Sequence, residues 1–179
     1  MKDEFTRLYE TYHHSLFRYI FYMVRDKEAA EELVQDVYIK VLQSHSSFKG
    51  DSSEKTWLYS VARHTAIDWV RMQNRKKRKW FGLLGPLSQE EVEDPAPLPD
   101  EIISARDDIR EVYRAMEDCT PDQRHVLILR YMESLTVKET ASTLGWSESK
   151  VKTTQHRALK KLRDLMRENG EDSERRVNG

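Results

Sequence analysis

The stretch SLTVKETASTLGWSESKVKTTQHRALKKLR, Ser134–Arg163, decides how this 179-residue chain is read. It places Ala141, Gly145 and Val151 at the spacing of a helix-turn-helix. A small residue lets the second helix cross closely, a glycine permits a left-handed turn, and an apolar residue anchors the second helix. Thr136 followed by Glu139 forms a capping box that starts the first helix, Leu144–Gly145 ends it, and Ser147 caps the second. On that second helix Val151, Ala158, Leu159, Leu162 and Met166 make one apolar stripe. Ser149, Lys152, Thr153, His156, Arg157 and Lys160 fall on the other side. Taken alone, such a basic face is either a solvated surface or a DNA reader. The short helix and glycine turn before it favour the DNA reader, because a major groove admits a helix whose side chains reach base edges and phosphates.

Working outward, the helical rhythm continues on both sides. Ile109, Val112, Tyr113 and Met116 mark one helix from about Ile102, and Pro121 opens the next at its first turn, carrying Val126, Leu127, Leu129, Arg130, Tyr131 and Met132. Toward the N-terminus the apolar residues Phe5, Leu8, Tyr9, Tyr12, Leu16, Tyr19, Ile20 and Met23 predict one helix; Leu33, Val34, Val37, Tyr38, Val41 and Leu42 predict another. The loop SHSSFKGDSSE, Ser44–Glu54, ends in a candidate capping box of Asp51 and Glu54 that starts a third helix, about Ser53 to Arg75. That helix directs Leu58, Val61, Ala62, Thr65, Trp69 and Met72 inward. Its other side offers Ser60, Arg63, His64, Ile67, Arg71, Asn74 and Arg75, a second basic surface with Phe48, Trp57 and Tyr59 near it. Cationic grooves flanked by aromatic rings suit single-stranded nucleic acid; core packing is the simpler reading of Trp57 and Trp69.

After Arg75 the chain turns basic, RKKRK, and then acidic and proline-rich, LSQEEVEDPAPLPDE over Leu87–Glu101. Such a composition does not bury enough apolar surface to fold alone. The expected fold class is therefore all-α: two small helical domains, 1–75 and 103–169, joined by an extended linker over 76–102, with a disordered tail at 170–179 and a helix-turn-helix in the second domain.

Composition narrows the function. With 38% hydrophobic and 34% charged residues and a net charge of −1, the chain suits a helix-rich protein whose charge is segregated along its length. The single Cys119 excludes an internal disulfide and a cysteine-rich zinc site, which fits a reducing cytoplasm. No apolar run reaches membrane-spanning length, and Met1–Glu10 has no signal-peptide core. The histidines form no metal-ligand pattern, and neither a glycine-rich phosphate loop nor a nucleophile elbow is present, so no catalytic residue, metal or cofactor is expected.

The segments AEELVQDVYIKVL (Ala30–Leu42), FKGDSSEKTWLYSVARHTAIDWVR (Phe48–Arg71), the acidic linker and the C-terminal helix-turn-helix together resemble a bacterial extracytoplasmic-function sigma factor of the sigma-70 family, with the Bacillus cell-envelope group the nearest in pattern. The resemblance covers roughly Phe5 to Arg167, with all motifs in order. It implies a promoter-specificity subunit that binds core RNA polymerase, both the clamp helices of the largest catalytic subunit and the beta subunit, and directs transcription initiation. Glu32, Gln35, Asp36 and Tyr38 match the clamp-docking segment. Phe48 and Lys49 lie in the loop that captures a flipped base, which unstacked recognition requires. Arg63, His64, Asp68 and Arg71 match the reader of the downstream promoter element; His64 stands where many members have Asn, leaving base reading and packing both open to it. Ser149, Lys152, Thr153, His156, Arg157 and Lys160 match the upstream-element reader. For Glu90, Glu91, Glu93 and Asp94 of the linker two readings stay open: mimicry of nucleic acid in a basic channel of the polymerase, as the resemblance implies, or simple solubility. Members of this type are commonly held inactive by an anti-sigma factor, often membrane-anchored. Against this stands a plain duplex-binding repressor or activator, which has no need of the second basic block or the clamp-like helix.

Overall fold

A computed structural model describes residues 2–44, 53–84 and 107–177, all-helical among those residues apart from short turns. The elements are α1 (Lys2–Val24), α2 (Lys27–Ser44), α3 (Glu54–Leu84), α4 (Asp107–Glu117), α5 (Pro121–Leu127), a π-helical turn (Ile128–Met132), α6 (Val137–Leu144) and α7 (Glu148–Val177). The chain divides into two compact units, Met1–Pro97 and Leu98–Gly179.

In the first unit α1, α2 and α3 each pack on the other two. Their shared core holds Leu8, Leu16, Tyr19 and Ile20 from α1, Leu33, Val34, Val37 and Val41 from α2, and Leu58, Tyr59, Ala62 and Ala66 from α3. Each fully buried large aliphatic side chain contributes roughly 1.5–3 kcal/mol. Tyr19 and Tyr59 meet edge to face at 5.4 Å, so Tyr59, which the sequence placed with the loop aromatics, is a core residue. The turn from α1 to α2 is made by Arg25 at φ 57, and Asp26 then caps α2 by accepting from the Ala29 amide at 2.9 Å. The cap of α3 is Ser53, whose Oγ accepts from the Thr56 amide at 3.1 Å; the expected capping residue Asp51 lies outside the described residues. Polar ties also join the helices. Arg7 forms a two-pronged ion pair with Glu54, and Lys40 Nζ donates to Thr65 Oγ1 at 2.9 Å.

In the second unit α4, α5 and α6 all pack on α7. Tyr113, Met116, Val126, Leu127, Ile128, Leu129, Leu135, Leu144, Val151 and Ala158 form its core. Thr120 caps α5 through a capping box with Gln123, with Pro121 in the first turn. Thr136 and Glu139 make the expected box on α6, and Ser147 Oγ accepts from the Lys150 amide at 3.2 Å to start α7. Gly145 ends α6 in the left-handed region at φ 65. The Trp146 amide bonds to Ala141 O at 2.9 Å and the Gly145 amide to Ser142 O at 3.3 Å, the paired bonds of a Schellman stop. Cys119 is buried with Sγ 3.7 Å from Ala115 O, and burial pushes its thiol pKa up.

The structure departs from the sequence reading in several places. α3 does not end near Arg75 but runs to Leu84, well into the expected linker. Lys and Arg are good helix formers and no proline interrupts the run before Pro86. α7 likewise continues to Val177 through most of the tail expected to be disordered; Glu and Arg outweigh the single Gly170 there. The helix expected to run through Met132 changes to π winding at Ile128. Tyr9, Leu42, Met72 and Tyr131, counted within the apolar or helical patterns, are exposed.

Candidate nucleic-acid and polymerase interface

On α7, Val151 and Ala158 are fully buried, and Leu159, Leu162 and Met166 are half-buried. This fixes the rotation of the helix, so Ser149, Lys152, Thr153, His156, Arg157 and Lys160 all emerge exposed on its outer side. Hydroxyl, imidazole and cationic groups thus stand along one helix whose first turn follows the tight Gly145 stop. That is the arrangement a major groove accepts.

Two neighbours of this stripe are structural. Lys150 lies 3.7 Å above the Trp146 ring and 3.6 Å from Asp122, tying the start of α7 to α5. Gln155 accepts from Arg130 Nε at 3.0 Å and donates to the Tyr131 hydroxyl at 2.9 Å. Arg130 also donates to Leu135 O. The winding of Ile128–Met132 brings both partners to α7: the Glu133 amide bonds back to Ile128 O at 2.9 Å, a five-residue step. No periodicity in the sequence signals this turn.

On α2 the buried residues Leu33, Val34, Val37 and Val41 face α1 and α3. Glu32, Gln35 and Asp36 are exposed together on the opposite side. Ile39 and Leu42 join them, 51% and 54% exposed, so the face carries apolar as well as polar groups. Spacing of four residues from Gln35 and three from Asp36 was the signal that could have found Ile39. Tyr38 is not part of this face. It is buried, with its ring 5.6 Å from Phe5, 5.1 Å from Tyr9 and 6.3 Å from His13. Burial, assisted by Tyr9, pushes its phenol pKa well up, and one helical step turns it from the exposed side to the core.

Along α3, His64, Asp68 and Arg71 are exposed on one line. His64 Nδ1 lies 2.6 Å from Ser60 O. A carbonyl oxygen only accepts, so Nδ1 is the donor here, an arrangement that in the Nδ1–H tautomer makes Nε2 an acceptor. Arg71 and Asp68 approach to 4.0 Å in a surface pair. Arg63 differs from the expected basic surface: it is half-buried, its Nε has no hydrogen-bond partner, and its charge opposes the burial-driven rise in the Tyr19 phenol pKa. Phe48 and Lys49, and the linker acids Glu90, Glu91, Glu93 and Asp94, lie outside the described residues. Among the described residues no cluster of His, Cys, Asp or Glu could hold a metal, and no helix is long and apolar enough to cross a membrane.

Comparison with known proteins identifies the family. Residues 8–76 match Sigma-70 region 2, and residues 115–164 match Sigma-70, region 4. The chain is 49% identical to the extracytoplasmic-function RNA polymerase sigma factor SigX of Bacillus subtilis over 180 aligned positions, covering 99% of this chain and 92% of that protein. It is 33% identical to the RNA polymerase sigma factor YlaC of the same organism, covering 96% of each. Its fold is similar to that of the sigma factor RpoE of Bartonella quintana, solved with the anti-sigma factor NepR, with a TM-score of 0.77 at 23% identity over 93% of this chain and 98% of that one. A region 2 bundle, a region 4 helix-turn-helix and the match to SigX along nearly the whole chain lead to one conclusion: the chain belongs to the extracytoplasmic-function sigma factors, which direct RNA polymerase to promoters to initiate transcription.

Proposed function

We propose that the protein divides promoter recognition between its two units while the α2 face holds the polymerase. Glu32, Gln35 and Asp36, with the exposed Ile39 and Leu42, dock on the clamp helices of the largest catalytic subunit. His64, Asp68 and Arg71 contact the downstream element as it opens, with Phe48 and Lys49 of the preceding loop at the flipped base. Ser149, Lys152, Thr153, His156, Arg157 and Lys160 read the upstream element as duplex. The protein itself performs no catalysis; the polymerase, including its beta subunit, does the chemistry in the cytoplasm.

The observation that carries this reading is the outward set on α7. Burial of Val151 and Ala158 leaves Lys152, Thr153, His156, Arg157 and Lys160 no orientation but outward. The lone pair at His64 Nε2 adds a specific expectation for the downstream element: the ring accepts from a base amino group. An anti-sigma factor covers the α2 face when the protein is idle. This reading is supported by RpoE, a similar fold solved with the anti-sigma factor NepR; CnrH, similar at a TM-score of 0.66 and 17% identity, is solved with the cytosolic domain of CnrY. Similarity to an extracytoplasmic-function member along nearly the whole chain supports a cell-envelope or extracytoplasmic stress regulon.

The test is reconstituted transcription with sigma-free core polymerase and a library of promoter fragments. Promoter-dependent transcripts are expected from a subset of fragments. No transcripts from any fragment, together with no binding to core, would overturn the proposal.

A further inference from the structure

Within α3 the run RMQNRKKRK, from Arg71 to Lys79, holds six cations and no acid. In the sequence its last four residues, 76–79, read as the start of a linker. In the structure it is helix, and every one of the six cations is exposed; within the run only Gln73 is even half-buried. The Sigma-70 region 2 match stops at residue 76, inside the run. At about 100° per residue, Arg75, Arg78 and Lys79 fall within the same arc of roughly 100° as His64, Asp68 and Arg71. Asp68, Arg71, Asn74, Arg75 and Arg78 accordingly line one shallow surface hollow.

This part of the helix has no apolar face to hold it and works against itself electrostatically. Arg71 and Arg75, Arg75 and Arg78, and Arg75 and Lys79 are like-charged pairs at three- or four-residue spacing, which destabilise a helix. A polyanion laid along the stripe removes that repulsion. Arg71 to Lys79 covers about 12 Å of helix axis, comparable to three or four successive phosphates of one strand at roughly 3.4 Å each along the duplex axis.

We propose that Arg75, Arg78 and Lys79 form a sequence-independent phosphate grip that extends the downstream-element face of α3 onto adjoining duplex DNA. The inference rests on the reading that His64, Asp68 and Arg71 face promoter DNA. Phosphate contacts position a protein without carrying sequence information. The grip therefore sets affinity and its salt dependence, while base choice stays with the residues upstream in α3 and with α7.

The experiment uses full-length protein bound to core polymerase, on promoter fragments recovered by transcription, with salt varied from about 50 to about 200 mM. The triple variant Arg75→Gln, Arg78→Gln, Lys79→Gln is compared with wild type and with Arg75→Lys, Arg78→Lys. Each lost phosphate contact lowers the slope of log affinity against log salt by about 0.9. The triple variant is expected to lose about 2.7 from the slope, so its affinity falls about 40-fold less than wild type across that salt range. The ranking of fragments and affinity for core stay unchanged, and the lysine variant keeps the wild-type slope. An unchanged slope on fragments that wild type still transcribes would overturn the grip while leaving the promoter reading intact. A loss confined to core affinity would overturn it in favour of a polymerase contact. Failure of wild type to select any fragment would instead overturn the promoter reading and the grip with it.

Discussion

Arg130 Nε donates to Gln155 Oε1 at 3.0 Å, joining the π turn to α7, the helix proposed to read the upstream element. Gln155 precedes His156 directly and lies one turn beyond Lys152, so this bond, with the Tyr131 hydroxyl at 2.9 Å, supports the rotation that burial of Val151 and Ala158 fixes. Gln155→Ala removes both ties. It is expected to lower the unfolding free energy by about 1–2 kcal/mol, read by urea denaturation. It is also expected to reduce discrimination among upstream elements even at temperatures where the fold is complete. Gln155→Glu keeps an acceptor for Arg130 and should retain most of both.

Gly145 tests the turn itself. No atom lies within 4 Å of a Cβ placed there, so Gly145→Ala meets no clash and its cost is the left-handed backbone alone, about 1 kcal/mol. Gly145→Asn should cost less, since Asn tolerates that region. Thermal unfolding followed by circular dichroism should rank the melting temperatures wild type, Asn, Ala.

The two proposed binding faces are expected to separate by single substitutions. Arg157→Ala is expected to weaken upstream-element recognition roughly tenfold or more, the value of a base or phosphate contact, with core affinity unchanged. Asp36→Ala and Ile39→Ala are expected to weaken core binding and leave the choice of upstream element intact. Fluorescence titration against core polymerase and electrophoretic retardation of the assembled complex read the two effects independently.

Tyr38 supplies a control for that face. Its buried hydroxyl has no hydrogen-bond partner, so Tyr38→Phe should change neither stability beyond about 0.5 kcal/mol nor affinity for core. Tyr38→Ala empties the space among Phe5, Tyr9 and His13 and should cost about 3–5 kcal/mol. A full loss of core binding by Tyr38→Phe with stability intact would place the hydroxyl at the interface after all.

His13 stacks on Tyr9 at 4.4 Å and meets His14 at 5.7 Å. Burial first, and the neighbouring His14 second, hold its pKa below the ordinary 6.5. The unfolded chain therefore takes up a proton at higher pH than the folded one does. Well above about pH 6.5 both states are neutral at this site and stability is insensitive to it. As pH falls below that value the folded state loses stability until His13 itself protonates. Urea midpoints measured from neutral pH downward should decline in that window, and His13→Gln should flatten the decline.

Much of this architecture was legible from pattern. The stripes ending in Val151 and Ala158 on α7, and in Leu33, Val34 and Val37 on α2, are set by helical periodicity and reappear as burial. The caps at Thr136, Ser147 and Gly145 were legible because each has a local chemical reason within four residues. What escaped was decided by tertiary contact or by helix propensity without a core. Tyr38 and Leu42 belong to one apolar pattern, yet only the first is buried, against rings of α1. Arg63 shares a basic stretch with His64 but is half-buried where His64 is exposed. The length of α3 beyond Arg75 follows from the absence of a breaker, a weaker signal than the change in composition that suggested a linker.

The π turn at Ile128–Met132 also fixes an arithmetic of spacing. A helix wound with five-residue bonds carries close to one residue more per turn than its α-helical neighbour, so Arg130 and Tyr131 occupy positions around the axis that ordinary winding would assign elsewhere. Deleting a single residue from this turn would leave the hydrophobic composition of α5 nearly unchanged while swinging both partners about 100° away from Gln155. Insertions and deletions here therefore act as a coarse adjustment of aim, and substitutions on α7 as the fine one. If α7 reads DNA as proposed, the distance along the chain between Leu127 and Leu135 bears on its aim alongside the identity of the residues on α7.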